Sequence, residues 1–246
     1  MMLHINQQTK RQVLGVTTSY MNYASPDAKF AYDVNQSPYF KKDAQNYINV
    51  LGVKQLNTLG NSSLLDIYLS KGNTVEPHIH QNANELVYVI QGGAIVSLIN
   101  PFTNQLLNYT IKPGQVVNIP QGWWHYETAS EDQTHLLAIF DAPQPEAIFG
   151  SDILRLTPPD VWAHSYCLDV NKVKDTFAPI TKTVIIGPPA DCQQQRGEYV
   201  GEAGCPQPYP NVQPSYQNPQ QPSYPQQVYC PYHQQYHSVQ APRGLL

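Results

Sequence analysis

The chain has little charge, no long apolar run and almost no cysteine where a core would form. Asp, Glu, Lys and Arg make up 13% of its 246 residues, and the formal net charge is −4. No cluster or stripe of Lys and Arg interrupts that mild acidity, so the electrostatic footprint of a nucleic-acid or anionic-membrane binder is missing and neither partner is expected. No stretch approaches the ~18 consecutive apolar residues of a membrane span, and the first residues, Met1 to Arg11, lack the apolar core of a secretory signal. Synthesis in the cytoplasm, without a signal peptide, is the expectation. Of four cysteines, only Cys167 lies in the body of the chain; Cys192, Cys205 and Cys230 sit at or in its C-terminal end. That placement does not describe a disulfide framework, and Cys167 reads as a buried small apolar group.

Proline, by contrast, is abundant: 22 residues against 14 glycines. Much of the excess falls at the C-terminus, where residues 193–246 hold thirteen Gln, seven Tyr and nine Pro but only four charged residues, Arg196, Glu198, Glu202 and Arg243. Aliphatic residues there follow neither a helical nor a strand period, so the segment cannot bury enough apolar surface to offset the entropy of ordering it. Residues 187–246 therefore read as a disordered Pro/Gln/Tyr-rich tail. Tyr, Gln and Cys are also the side chains of dityrosine, glutamyl-lysine and disulfide cross-links, and proline keeps such a chain extended and accessible. No lysine follows Lys182, so a glutamyl-lysine bond would draw its lysine from another protein. Residues 1–44, with Tyr20, Tyr23, Tyr32 and Tyr39 among polar neighbours, show no period and read as an N-terminal arm.

Between arm and tail the pattern changes. Short β-rich runs occur at 47–53, 62–70, 75–80, 85–91, 94–99, 106–111, 116–119, 124–129 and 134–140, separated by Gly-, Pro- and Asn-containing turns. Many short strands at regular spacing with no long helices between them predict an all-β antiparallel sandwich or barrel. After Phe140 the spacing predicts a loop, then a helix starting at Thr157 as cap with Pro158 and Pro159 in its first turn, and a second short helix over 169–177. These form a small helical appendage, and residues 184–189 end the folded part.

Two spaced motifs lie within the strand block. The first runs Gly72, five residues, His78, Ile79, His80, four residues, Glu85, six residues, Gly92. The second runs Gly114, five residues, Pro120, Gln121, Gly122, two residues, His125. His78 and His80 are two apart on one strand, so both imidazoles take the same face. Glu85 continues onto an inward face with Val87 and Val89, while Leu86, Tyr88 and Ile90 face a second sheet or another subunit. His125 returns from a different strand. Three imidazoles and a carboxylate converging inside a barrel make a ligand set suited to Mn(II), Fe(II) or another divalent metal; four protein ligands leave two octahedral positions open for small molecules. His135 reads as a satisfied structural histidine, and Trp123 and Trp124 as rim and wall residues.

Both motifs resemble those of the cupin superfamily; the one departure is Ala129, where the second motif usually ends in Asn. The strands before the first motif resemble those of seed storage globulins and oxalate decarboxylases, and residues 136–141 with Leu154, Thr157 and Pro158 resemble the last strand, lid and helices of the decarboxylases. The resemblance implies a double-stranded β-helix, or jelly-roll, cupin barrel at 45–186, one unit where the decarboxylases carry two, and a homo-oligomer. It also implies a manganese site at His78, His80, Glu85 and His125, and oxalate decarboxylase- or oxidase-type chemistry on a small carboxylate. The equivalent of the catalytic lid is the loop 141–151, with Glu146 as its proton-supplying carboxylate. Where the decarboxylases place a substrate-binding arginine, 62–70 and 74–77 contain none; Lys54 and Lys71 are the nearest cations and read as solvated turn or edge residues. The tail resembles those of bacterial spore-coat proteins. The alternative to an enzyme is a non-enzymatic structural or storage-like cupin, held in such a coat.

Overall fold

A computed structural model describes residues 22–192, together with the backbone of two short segments nearer the C-terminus. Twelve strands form two six-stranded antiparallel sheets. The first contains β1 (Pro38–Lys41), β2 (Tyr47–Leu51), β3 (Ser63–Leu69), β5 (Glu85–Gln91), β8 (Val116–Ile119) and β10 (Thr134–Phe140), in the order β1-β2-β3-β10-β5-β8. The second contains β4 (Thr74–Ile79), β6 (Ala94–Asn100), β7 (Gln105–Ile111), β9 (His125–Ala129), β11 (Ile148–Phe149) and β12 (Ile186–Gly187). Its order is β11-β4-β9-β6-β7, with β12 also pairing β4.

Alternation along these strands builds one core. Val87 and Val89 on β5, Leu136 and Ala138 on β10 and Val96 on β6 are completely buried, whereas Leu86, Tyr88 and Ile90 on the opposite face of β5 are about two-fifths exposed. Those three therefore do not pack against the second sheet. Turn residues fix the registers. Gly92 takes a φ of +73° against Thr134, and a Cβ there would lie 2.6 Å from the threonine Oγ1, so both conformation and space require glycine. Gly122, at φ +81°, donates its N–H to the His80 carbonyl at 2.9 Å and so fastens the second motif to the first.

The ordered sheet begins inside the predicted arm, since β1 pairs with β2, and Lys29 donates its N–H to Asn57 across the β2–β3 connection at 2.9 Å. Nine strands fall where the alternating runs predict them. After β10 three helices occur rather than two: α1 (Gly150–Leu156), α2 (Pro159–Tyr166) and α3 (Val170–Phe177). Thr157 ends α1 instead of capping α2, whose N-terminus has no side-chain cap; Asp169 caps α3 through the N–H groups of Asn171 and Lys172. Cys167 is exposed, contrary to the apolar-core reading, because it closes α2 in the left-handed conformation at a surface turn. Most of the predicted tail and the first half of the arm lie outside the described residues, as does the cross-linking expectation; Gln227–Cys230 and Gln235–Ser238 pair antiparallel. No helix among the described residues is long and apolar enough to cross a membrane.

Candidate metal centre

Strands β4 and β9 lie side by side with His78 opposite His125, and Val75 opposite Glu127. Glu76 and Pro77 on β4 thus face Tyr126 alone on β9, a bulge that puts Val75 and His78 on the same inward side and turns Glu76 away. Outside the barrel Glu76 is 8% exposed and accepts four hydrogen bonds, from Ser151 N and Oγ and from the Val184 and Ile185 N–H groups, at 2.7–3.0 Å. It binds the start of α1 and the β12 segment to the back of the strand that carries the histidines.

Inside the barrel the predicted residues meet. His78, His80, Glu85 and His125 are all buried, and one donor atom from each lies within 4.8 Å of every other. His78 Nε2 and His80 Nε2 are 3.2 Å apart; Glu85 Oε2 is 2.8 Å from His125 Nε2 and 3.4 Å from His80 Nε2. Ligands around a metal at ~2.1 Å stand at about these separations. The opposite edge of each ring is fixed by a main-chain oxygen: His78 Nδ1 donates to Glu76 O at 2.7 Å, His80 Nδ1 to Glu146 O at 2.8 Å, and His125 Nδ1 to Trp123 O at 2.8 Å. Carbonyls can only accept, so each Nδ1 carries the proton in a neutral ring and each Nε2 presents its lone pair to the centre. The residues present fit a divalent cation.

Electrostatics of the metal-free site agree with that geometry. Burial, with the charges of His125 and His80, drives His78 well below the usual imidazole range. Burial pulls His125 the same way, but the hydrogen bond and charge of Glu85 outweigh it and push His125 up to about 9. Glu85 is raised by burial, yet the hydrogen bonds and charges of His125 and His80 hold it well below the usual carboxylate range. A proton held between Glu85 and His125 therefore occupies the place of a cation.

One residue of the site escaped the sequence reading. Glu127 is 1% exposed, its Oε1 lies 3.6 Å from His125 Nε2, and that oxygen has no hydrogen-bond partner. Burial and the charge of Glu85 raise Glu127 to about 8. Its signal was available, since Glu127 is two residues after His125 on the same strand and so shares its face. Glu146 has the opposite placement. Its carboxylate is exposed, accepting from Gln81 Nε2 at 3.3 Å, while its backbone orients His80. The loop predicted as a lid is bound to the barrel: Ile148 and Phe149 pair with Ile79 and His78 of β4, and Gly150 packs against Pro77 so closely that a Cβ would lie 2.9 Å from its carbonyl oxygen. His135 donates to the buried Asp66 at 2.6 Å and stacks on Tyr68, as a structural histidine. Lys54 is exposed at a turn, yet it lines the same cavity as His78 and His80.

Two packed antiparallel sheets around a buried three-histidine, one-carboxylate cluster define a β-barrel with a candidate metal centre. The chain belongs to the cupin family, whose model matches residues 35–174. Nectarin-1 of Nicotiana langsdorffii x Nicotiana sanderae is 32% identical over 146 residues, covering 54% of this chain and 61% of nectarin-1. Germin-like protein subfamily 1 member 7 of Arabidopsis thaliana is 31% identical, over 52% of this chain and 58% of that protein. The chain thus spans about three-fifths of the length of these relatives. Among solved structures, oxalate decarboxylase from Bacillus subtilis superposes with a TM-score of 0.56 at 20% identity, over 65% of this chain and 43% of that one. Procruciferin, the 11S globulin of Brassica napus, gives 0.58 at 21% identity, over 65% and 43%. At that identity the likeness is one of fold, a single barrel unit.

Proposed function

We propose that this cupin holds Mn(II) at His78, His80, Glu85 and His125 and acts on a small chelating carboxylate in the manner of the oxalate decarboxylases and oxidases. One observation carries the reading: three imidazoles, each with Nδ1 pinned by a carbonyl, aim Nε2 at the same point as Glu85 Oε2. Manganese at that point supplies Lewis acidity and one-electron redox chemistry for a bound carboxylate and dioxygen. The protein supplies the rest. Its histidines are oriented before the ligand arrives, Phe140 and Phe149 pack against His80 and His78 and keep bulk water from the rings, and Glu85 contributes the neutralising charge. Two carboxylates can handle a proton: Glu127 from within, and Glu146 from the rim, where a proton would enter from solvent. The exposed Leu86, Tyr88, Ile90, Val116 and Ile139 on the first sheet support assembly into a homo-oligomer.

Metal analysis of the purified chain tests the centre. About one equivalent of manganese is expected, with Glu85→Ala or His125→Ala lowering affinity ~100-fold or more. A chain that retains no metal and melts identically with and without a chelator has no such site. An oxalate assay scored for formate and carbon dioxide against hydrogen peroxide then distinguishes decarboxylation from oxidation, and Glu146→Gln tests the rim carboxylate. Full manganese occupancy without turnover of any carboxylate assigns the chain to the non-enzymatic cupins.

A further inference from the structure

A cavity of about 250 Å³ opens from the metal centre toward the arm and the β2–β3 connection. Its floor is formed by His78 and His80, and its walls include Ile48, Val50, Leu65, Val75, Phe149 and Ile185. The polar lining residues Tyr39, Lys54, Gln55 and Gln144 come from the arm, the β2–β3 connection and the 141–147 loop. Chelating floor, apolar walls and polar rim are thus separated along one cavity. Lys54 is the only cation among the lining residues, and no Asp or Glu joins it there.

Oxalate does not match this distribution. At ~30 Å³ per water-sized group the cavity has room for roughly eight such groups, and a two-carbon dianion on the metal would leave most of that apolar wall facing water. Turned the other way, its second carboxylate would lie among side chains that cannot hydrogen-bond to it, which is unfavourable for a charge. An acid with a single charge, a chelating head and a hydrocarbon body uses all three zones. A 2-oxo or 2-hydroxy acid supplies two oxygens to the cation, and each buried methylene adds roughly fourfold to affinity.

We propose that the ligand of this site is a 2-oxo or 2-hydroxy monocarboxylic acid with a branched or aromatic body, seated between the histidines and the apolar walls and drawn in past Lys54. This rests on the metal-centre reading and names its substrate class. Lys54 is a positioning residue at the entrance, attracting the carboxylate without touching the metal.

The full chain loaded with Mn(II) tests it by water-proton relaxation, which reports displacement of manganese-bound water whether or not a reaction follows. Pyruvate, 4-methyl-2-oxopentanoate, phenylpyruvate and oxalate are the probes. The branched and aromatic acids are expected to bind at least ~10-fold more tightly than pyruvate or oxalate. Val50→Phe, which fills the wall, is expected to remove that preference while pyruvate binding persists. Lys54→Gln should weaken all the acids severalfold and steepen none of the differences between them, with Lys54→Arg restoring affinity. Equal binding of all four acids, tighter binding of oxalate, or affinities unmoved by Lys54→Gln would each overturn the proposal. A chain that fails to load manganese at the outset shows instead that the metal-centre reading is wrong.

Discussion

Glu76 and Glu127 are buried carboxylates on neighbouring strands, yet one side of β4 treats its carboxylate as a structural anchor and the barrel interior leaves the other partly unsatisfied. Glu76 accepts from four donors on α1 and the segment before β12. Glu127 has an oxygen without any donor and lies beside His125. A buried polar group costs stability when unpaired and holds the fold when paired. Glu76 therefore belongs to the fold and Glu127 to the site, although nothing in their side-chain chemistry differs.

Glu76→Ala is expected to have the largest effect. Four donors lose their acceptor, and the start of α1 and the 184–186 segment lose their hold on β4. Unfolding in urea should show a loss of about 3 kcal/mol or more, and Glu76→Gln, with only one oxygen left, a smaller loss. An unchanged midpoint for Glu76→Ala would remove the distinction. Glu127→Gln should do the reverse in metal-free protein. Because burial and Glu85 raise Glu127 to about 8, its ionisation opposes folding increasingly as pH rises from its ordinary value near 4.5 toward 8. The amide removes that penalty, so the variant should be more stable than the parent at pH 8 by several kcal/mol, with the difference becoming small near pH 4.5.

The proton between Glu85 and His125 gives a subtler test. With His125 raised to about 9, the stabilisation it lends the metal-free fold is complete below its ordinary value near 6.5 and is lost as pH climbs through 9. Manganese must displace that proton, so apparent metal affinity should rise about tenfold per pH unit toward pH 9 and then level off; a flat profile in a pH series of metal titrations would show that the histidine is already free. The smallest expected effect lies on the first sheet. Burial, with the charge of Asp66, raises Tyr68 to about 12, and Asp66→Asn should bring its absorbance titration back toward 10 without altering metal binding.

The sequence reading succeeded where local chemistry and topology coincide. The four ligands were legible because each lies on a strand or, for His80, directly after one, so that alternation dictates a face, and because Gly92 and Gly122 mark turns with positive φ that favour glycine. It failed where distant segments meet. The strand formed by Ile148 and Phe149 draws its stability from pairing with β4, and no local signal separates such a pair from a loop. Helix α1 is one such case; its uncapped first turn is held by Glu76 from 75 residues away. Cys167 looked apolar by type, but its place at a helix end put it in solvent. Lys54 is a turn lysine by any local measure, and only closure of the barrel brings it to the histidines' cavity.

Residue spacing alone thus determined that three imidazoles and Glu85 share an interior, because side-chain direction along a strand follows from backbone geometry. Tertiary structure decided the roles of the remaining charged groups. A bulge on β4, set by pairing with β9, sends Glu76 outward to its donors and leaves Glu127 facing the ligands, and whether a carboxylate is a buckle or a participant depends on what the rest of the fold brings within hydrogen-bonding distance.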